Sequence, residues 1–349
     1  MNILLTGGAG FIGSNLAQYL LKTYPNDKVI TFDKLTYAGN LESLKSVEGN
    51  SSHIFIKGDI CDAPLVRKTF KDYDIDAVLH LAAESHVDRS ILGPKEFIET
   101  NVMGTFTLLE EAKNAWGSGS ENVFVNVSTD EVYGSLGKTG AFTELTPYAP
   151  NSPYSASKAS ADHLVRSYFH TFGLKVITTH CSNNYGAFQF PEKLIPVIIL
   201  NALARKKLPI YGDGLNIRDW IHVLDHARGI DVALRSGKAG EVYNFGADAE
   251  WTNIDLVRFI CSELDELRPA TDTRPYSDLI EFVKDRPGHD QRYAIDSSKA
   301  KTELGWSPEN DFKTAMRSTI KWYLDNLDWT ERVKSGEYIS YYAENYKDR

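Results

Sequence analysis

The sequence predicts an α/β protein, a doubly wound parallel sheet followed by a smaller C-terminal α/β domain. Three observations predict it. Short β-branched apolar runs alternate with amphipathic helical stretches through residue 180, the pattern of parallel strands joined by crossover helices. The first run ends in a glycine cluster that opens a helix. After about residue 182 the regular alternation is lost, which divides the chain into residues 1–182 and 183–349, with room for it to cross between the two.

Composition narrows the function. The 349 residues are 42% hydrophobic and 24% charged, ordinary for a globular chain with an ample core. A net charge of −9 argues against binding to a nucleic-acid backbone, so any nucleotide must be held by a local pocket of Arg and Lys. Cys61, Cys181 and Cys261 are odd in number, widely spaced and form no CxxC. They suggest neither a disulfide framework nor a metal site, which fits a reducing compartment. No basic n-region follows Met1, and the most apolar stretch, residues 194–204, is too short and interrupted to span a bilayer. The expectation is a cytoplasmic protein with no membrane or nucleic-acid partner and no metal.

Taken in order, residues 2–6 form an apolar strand, followed by Gly7-Gly8-Ala9-Gly10-Phe11-Ile12-Gly13 and a helix to about Leu21. The glycines fit two spacings, Gly7/Gly10/Gly13 and Gly8/Gly10/Gly13. Either lets a pyrophosphate approach the backbone at a helix N-terminus, the Rossmann-type fingerprint. The strand at residues 28–32 ends in Asp33, twenty residues beyond Gly13, where an acid binds ribose hydroxyls and repels a 2′-phosphate. This favours NAD over NADP, although Lys34 beside it acts the other way. The strand at residues 53–58 ends at Asp59-Ile60. That at 76–81 ends at Ala82-Ala83-Glu84-Ser85, small residues that suit either a cofactor face or a tightly packed turn. His86 reads as a structural donor before it reads as a base. Residues 97–116 carry a broad apolar helical stripe: Phe97, Ile98, Val102, Met103, Phe106, Leu109 and Ala112.

The strand at residues 123–127 runs out into Ser128-Thr129-Asp130-Glu131, polar side chains at the carboxyl end of a parallel strand, where ligands bind. A helix follows, capped by Asn151 or Ser152, with Pro153 in its first turn and Gly173 as its stop. Tyr154 and Lys158, four apart, share one face of it. A positive charge beside a phenol favours the phenolate, so the pair is a candidate base. Beyond the strand at residues 175–180, Cys181-Ser182-Asn183-Asn184-Tyr185-Gly186 reads as a hinge. A helix starts near Pro191, and Leu208–Tyr211 reads as a strand before the turn at Gly214.

The glycine cluster together with Tyr154 and Lys158 resembles the extended short-chain dehydrogenase/reductase family. Thr129-Asp130-Glu131-Val132-Tyr133-Gly134 resembles the signature of its nucleotide-sugar 4,6-dehydratase branch. The resemblance covers Thr6 to about Trp306, with Ala187 and Leu224 standing where Pro and Glu are usual. It implies that residues 1–182 bind NAD and 183–349 mainly bind the sugar nucleotide. The implied cofactor residues are Gly7, Gly10, Phe11, Ile12, Gly13, Asp33, Lys34, Leu35, Thr36, Asp59, Ile60, Leu81, Ala82, Ala83, Ser85, Thr100, Tyr154, Lys158 and Asn184. The implied sugar-nucleotide residues are Ser85, Thr129, Asn183, Lys193, Leu194, Pro209, Tyr211, Arg218, Asn253, Arg286 and His289; guanidinium forks give Arg218 and Arg286 a physical case of their own.

In that family Tyr154 takes the O4 proton as C4 is oxidised, Thr129 hydrogen-bonds O4, Glu131 takes the C5 proton and Asp130 protonates the departing C6 hydroxyl. The implied reaction yields a 4-keto-6-deoxy sugar for deoxysugar synthesis, rhamnose above all. The resemblance favours a dTDP base, hence dTDP-glucose, over UDP, and implies a homodimer through the 97–116 and Tyr154 helices. A 4-epimerase shares the glycines, Asp33, Tyr154 and Lys158 but has no use for the Asp130-Glu131 acid and base. A regulator that binds NAD without turnover would not need the Tyr154/Lys158 pair.

Overall fold

The first strand, β1 (Asn2–Thr6), is buried along all but its first residue, and the glycine turn hands the chain directly to α1 (Phe11–Thr23). β2 (Lys28–Asp33) and β3 (His53–Lys57) follow, and α2 (Ala63–Tyr73) returns the chain to β4 (Ala77–His80). Two short helices, α3 (Val87–Leu92) and α4 (Pro94–Phe97), lead through a wide helical segment, Ile98–Gly104, into α5 (Thr105–Trp116). β5 (Val123–Val127), α6 (Pro153–Phe172) and β6 (Val176–Cys181) complete the regular alternation. The second half runs β7 (Asn183–Tyr185), α7 (Leu194–Leu203), β8 (Leu208–Tyr211), β9 (Ile217–His222), α8 (Val223–Ser236) and β10 (Val242–Phe245). It ends with β11 (Glu250–Thr252), α9 (Asn253–Leu267), β12 (Ile280–Val283), α10 (Ser298–Leu304), α11 (Phe312–Asp325) and α12 (Leu327–Val333). The computed structural model describes residues 1–117, 119–285 and 288–333, so Arg286 and the tyrosine-rich tail beyond Val333 lie outside the described residues.

Seven parallel strands form one sheet in the order β10-β6-β5-β4-β1-β2-β3. The order reverses between β1 and β4, and the carboxyl ends of the strands there open the crevice in which such sheets bind ligands. Neighbouring residues of a strand face opposite layers. In β1, Ile3 and Leu5 pack with Leu16 and Leu20 of α1 and Ala227 and Ile230 of α8, whereas Leu4 packs with Val66, Leu109 and Val165 from α2, α5 and α6. Coverage of both faces explains why the strands read as unbroken apolar runs. Each fully buried Leu or Ile contributes roughly 1.5–3 kcal/mol.

The smaller lobe has its own core, in which Ile195, Ile198 and Ile199 of α7 meet Leu256 and Ile260 of α9 and Met316 and Ile320 of α11. Its strands form a three-stranded sheet, β11-β9-β7, and a parallel pair, β12-β8. The chain does not stay in this lobe. α8 covers the large sheet, and β10 pairs with β6 as that sheet's edge strand.

The structure differs from the sequence expectation in three places. The stretch 97–116 is not one regular α-helix, because Ile98–Gly104 widens into a π-helical segment. There the Asn101 amide bridges the Glu84 backbone (2.9 and 3.0 Å) and the Ser157 hydroxyl (2.8 Å), tying three elements together. Residues 183–185 are not a bare hinge but a strand paired with β9. α7 begins at Leu194 instead of Pro191, since Lys193 is extended and the turn before it closes on the Phe190 carbonyl. Along the expected stripe, Phe97, Leu109 and Ala112 are buried, while Ile98, Met103 and Phe106 remain 46%, 50% and 40% exposed. Among the described residues no helix is long and apolar enough to cross a membrane, and no cluster of His, Cys, Asp and Glu could hold a metal ion.

Candidate active site

One cleft runs over the β1/β4 reversal. Gly7 turns the chain at φ +71°, which favours glycine, and a Cβ there would lie 2.7 Å from the Ala82 nitrogen. A Cβ on Gly13 would lie 2.1 Å from the Gly7 carbonyl oxygen, so α1 stands against the turn only because Gly13 lacks one. Gly7, Gly10 and Gly13 line the cleft; Gly8 instead abuts the Thr31 side chain. No side chain caps the N-terminus of α1, which leaves its first N–H groups suited to a pyrophosphate.

Asp33 ends β2 with both oxygens engaged: Oδ2 accepts from Ala9 N (3.0 Å) and Oδ1 from Leu35 N (2.8 Å). Burial raises its pKa above the usual carboxylate value, and these two bonds act against the rise. The carboxylate therefore also splints the glycine loop to the strand end, and Leu35 takes φ +56° in that arrangement. Lys34 is already matched, pairing with Asp59 at 2.7 Å. Phe11, Ile12, Thr36, Ile60, Leu81, Ala82, Ala83, Ser85, Thr100 and Asn184 line the same cleft, but Leu35 does not.

At the end of β5, Thr129 caps a single helical turn, Asp130–Tyr133, its hydroxyl accepting from Glu131 N (3.3 Å). Asp130 is 2% exposed; its Oδ1 receives the Thr129 hydroxyl at 3.4 Å, and its Oδ2 has no hydrogen-bond partner. Burial first, then the Glu131 and Asp219 carboxyls, push Asp130 well above the ordinary range, with Arg218 opposing. Its burial thus favours the neutral acid, next to the half-buried Glu131.

α6 presents Tyr154 and Lys158 to this corner, and the sequence shows why it starts where it does. Ser152 accepts from Ser155 N (3.1 Å), Pro153 fills the first turn, and Gly173 ends the helix in the left-handed region. The two side chains take different partners. The Lys158 ammonium donates to the Val127 carbonyl at 3.0 Å, and Tyr154 is hydrogen-bonded to the Thr129 side chain. Burial, Glu131, Cys181 and Asp130 raise the phenol well above its ordinary value, and the Thr129 hydroxyl lowers it.

From the smaller lobe, Asn183, Lys193 and Leu194 line the cleft, Lys193 reaching the Ser85 carbonyl at 3.1 Å. Pro209, Tyr211, Arg218, Asn253 and His289 stand outside the lining. Tyr211 meets His289 edge-on (6.2 Å between centroids) and donates to Asp88 at 3.5 Å. Buried Arg218 donates to the Ile217 and Asp290 carbonyls (2.7 and 2.9 Å) and lies 4.3 Å above the Tyr293 ring. Asn253 opens α9 with its N–H on the Asn216 carbonyl (3.0 Å). His86 caps α3, accepting from Arg89 N at 3.4 Å.

Sequence reasoning passed over Glu84, Cys181 and Glu192, which line the cleft. The Glu192 side chain is 4% exposed, its Oε1 accepts from Tyr37 (3.1 Å), and burial raises its pKa. The signal was its place between Pro191 and Lys193, in a turn already marked as leading into α7.

Residues 4–319 match the family model described as GDP-mannose 4,6 dehydratase. The chain belongs to that family. Within it, the chain is 54% identical over 341 residues to a dTDP-glucose 4,6-dehydratase of Xanthomonas campestris pv. campestris, covering 96% of each. Two solved structures superpose on this 4,6-dehydratase family member over 96% of its length and 100% of theirs. One is dTDP-glucose 4,6-dehydratase from Bacillus anthracis in complex with NAD (48% identity, TM-score 0.86). The other is dTDP-glucose 4,6-dehydratase from Streptomyces venezuelae with NAD and TYD bound (46% identity, TM-score 0.89).

Proposed function

We propose that this protein converts dTDP-glucose to dTDP-4-keto-6-deoxyglucose and water, with NAD as resident cofactor, as a cytoplasmic homodimer. The observation that carries the reading is Asp130, a neutral buried acid with one oxygen free of hydrogen bonds, next to the Glu131 carboxyl at the end of β5. An elimination needs one group to give a proton and another to take one; an epimerisation does not.

The residues fit NAD: Gly7, Gly10 and Gly13 leave room for the pyrophosphate, and Asp33 stands at the ribose end with Lys34 matched by Asp59. When bound, NAD would supply the hydride acceptor for C4 and the hydride donor for C6. Thr129 binds the sugar O4 and Tyr154 takes its proton. The 4-ketone acidifies the neighbouring C5 hydrogen, and Glu131 removes it and returns a proton to C5 once C6 is reduced. Asp130 then gives its proton to the C6 hydroxyl as water leaves. Asn183, Lys193, Leu194, Pro209, Tyr211, Arg218, Asn253, Arg286 and His289 are assigned to the nucleotide end.

The test is to incubate the protein with dTDP-glucose and, separately, UDP-glucose and to identify the products by mass spectrometry. A 4-keto product lighter by one water, formed faster from dTDP-glucose, is expected. Mere inversion at C4 would return the reading to an epimerase.

A further inference from the structure

Residues 35–40 form a strap between β2 and the helical stretch Leu41–Val47. One end is fixed to β2, where Leu35 N donates to Asp33 Oδ1 (2.8 Å). The other is fixed to the glycine turn, where Asn40 N donates to the Ala9 carbonyl (2.9 Å). Between them Gly39 N closes a turn on the Thr36 carbonyl (3.0 Å), which puts Tyr37 and Ala38 at its tip. Thr36, Ala38 and Gly39 line one side of the cleft. Tyr37 is among neither the cofactor nor the sugar-nucleotide residues named above.

Its side chain leaves the large domain and packs against the core of the smaller lobe. The hydroxyl donates to Glu192 Oε1 at 3.1 Å, and the ring meets Phe190 edge-on, 5.5 Å between centroids at 84°. The Arg89 guanidinium, from α3, lies 4.0 Å from the centre of the same ring. Arg89 is itself placed between the Glu84 and Glu96 carboxyls at 4.0 and 3.7 Å. Phe190 and Glu192 line the other side of the cleft. One phenol therefore joins the two rims, using its hydroxyl, its apolar edge and its cation-binding face.

We propose that Tyr37 is a positioning residue that clasps the strap across the cleft and so retains NAD from one turnover to the next. The inference rests on the cofactor assigned above and not on the reaction. Asp33, Thr36 and Gly39 border the ribose end of the cleft, so the strap lies along its adenosine half. The partners of Tyr37 all belong to the chain itself. The joint must part for the cofactor to leave, and it must part equally for the cofactor to enter. Loss of Tyr37 thus speeds passage in both directions, whereas loss of a simple cofactor contact speeds exit alone. Retention also suits a hydride that departs from C4 and returns to C6, since one cofactor must stay in place between the two transfers.

The test follows radiolabelled NAD on the whole protein by rapid filtration. Exit is read as release of bound label into excess unlabelled NAD, and entry as uptake of label by protein stripped of its cofactor. Tyr37→Ala loses a hydrogen bond, an aromatic pair and a cation contact, and its exit should be faster by about 10-fold or more, with entry faster as well. Tyr37→Phe, which keeps the ring, should fall between it and wild type. Faster exit with unchanged entry in Tyr37→Ala makes Tyr37 a contact and overturns the clasp. If Tyr37→Ala does not fold, Arg89→Met removes the guanidinium and leaves the ring in place. It should speed both rates by about 2- to 30-fold, and unmoved rates there overturn the clasp equally. A wild type that takes up no NAD refutes the cofactor and the clasp with it, whereas retained NAD with unmoved rates in the variants overturns the clasp alone.

Discussion

Asp130 shows how one residue exchanges stability for chemistry. Its folded-state pKa is raised, so between the unfolded value near 4 and the raised value the folded chain binds the extra proton. Folding stability therefore falls as pH rises through that window, by about 1.4 kcal/mol per unit. Asp130→Asn cannot suffer this loss. Thermal unfolding should show the variant more stable than wild type at neutral pH, with the gap widening as pH rises. A pH-independent difference would mean that Asp130 is not a buried neutral acid. The same variant should lose water from substrate about 10²–10⁴-fold more slowly. Glu131→Gln should separate the steps in another way: solvent deuterium should enter C5 far more slowly than in wild type, as read by mass spectrometry of the product. Equal labelling would remove Glu131 as the base. The sequence showed that this Thr-Asp-Glu run ends a strand, because β-branched runs and their polar exits are local features. Which carboxyl is protonated was implied only by the family resemblance and not by the residues themselves, since Asp219, Arg218 and Tyr293 come to this corner from far along the chain.

At the scale of elements, the glycine turn and α1 act as one cradle. Adding a methyl group at Gly13 places carbon 2.1 Å from the Gly7 oxygen, a contact that neither backbone can yield locally. Overpacking of this kind costs about 1–3 kcal/mol. Gly13→Ala should therefore weaken NAD binding roughly 10- to 100-fold by calorimetry while the protein still folds, and unchanged affinity would separate the turn from the cofactor. α6 was legible to within one residue, Asn151 or Ser152 at its cap, because Ser152, Pro153 and Gly173 are local signals of a helix start and stop. The widened turn at Ile98–Gly104 was not; within it Asn101 bonds to Glu84 and Ser157, partners no spacing rule connects.

Across the whole molecule, the exposed side chains of the 97–116 stripe remain to be covered. Ile98, Met103 and Phe106 point away from the core, and Phe172 at the end of α6 is 46% exposed. Burying such a patch against a second copy would account for the homodimer proposed above. Met103→Glu with Phe106→Glu should give a monomer by analytical ultracentrifugation, and a persistent dimer would place the interface elsewhere. The alternation of strands and helices made the large sheet readable as far as β6. The return of the chain to that sheet through α8 and β10 was foreseen only as room to cross, because edge pairing with β6 depends on residues some sixty positions apart in sequence.

That return limits how such a protein can be cut, copied or recombined. A gene severed after residue 182 would encode β1 to β6 without the edge strand β10 and without the α8 side chains Ala227, Ile230 and Leu234 that seal one face. The product would expose the backbone of β6 and an unsealed apolar layer, the two features that drive chains to aggregate. The halves are therefore inherited as one piece: a recombination event that swaps the second half must bring an α8 and a β10 that fit the sheet of the first.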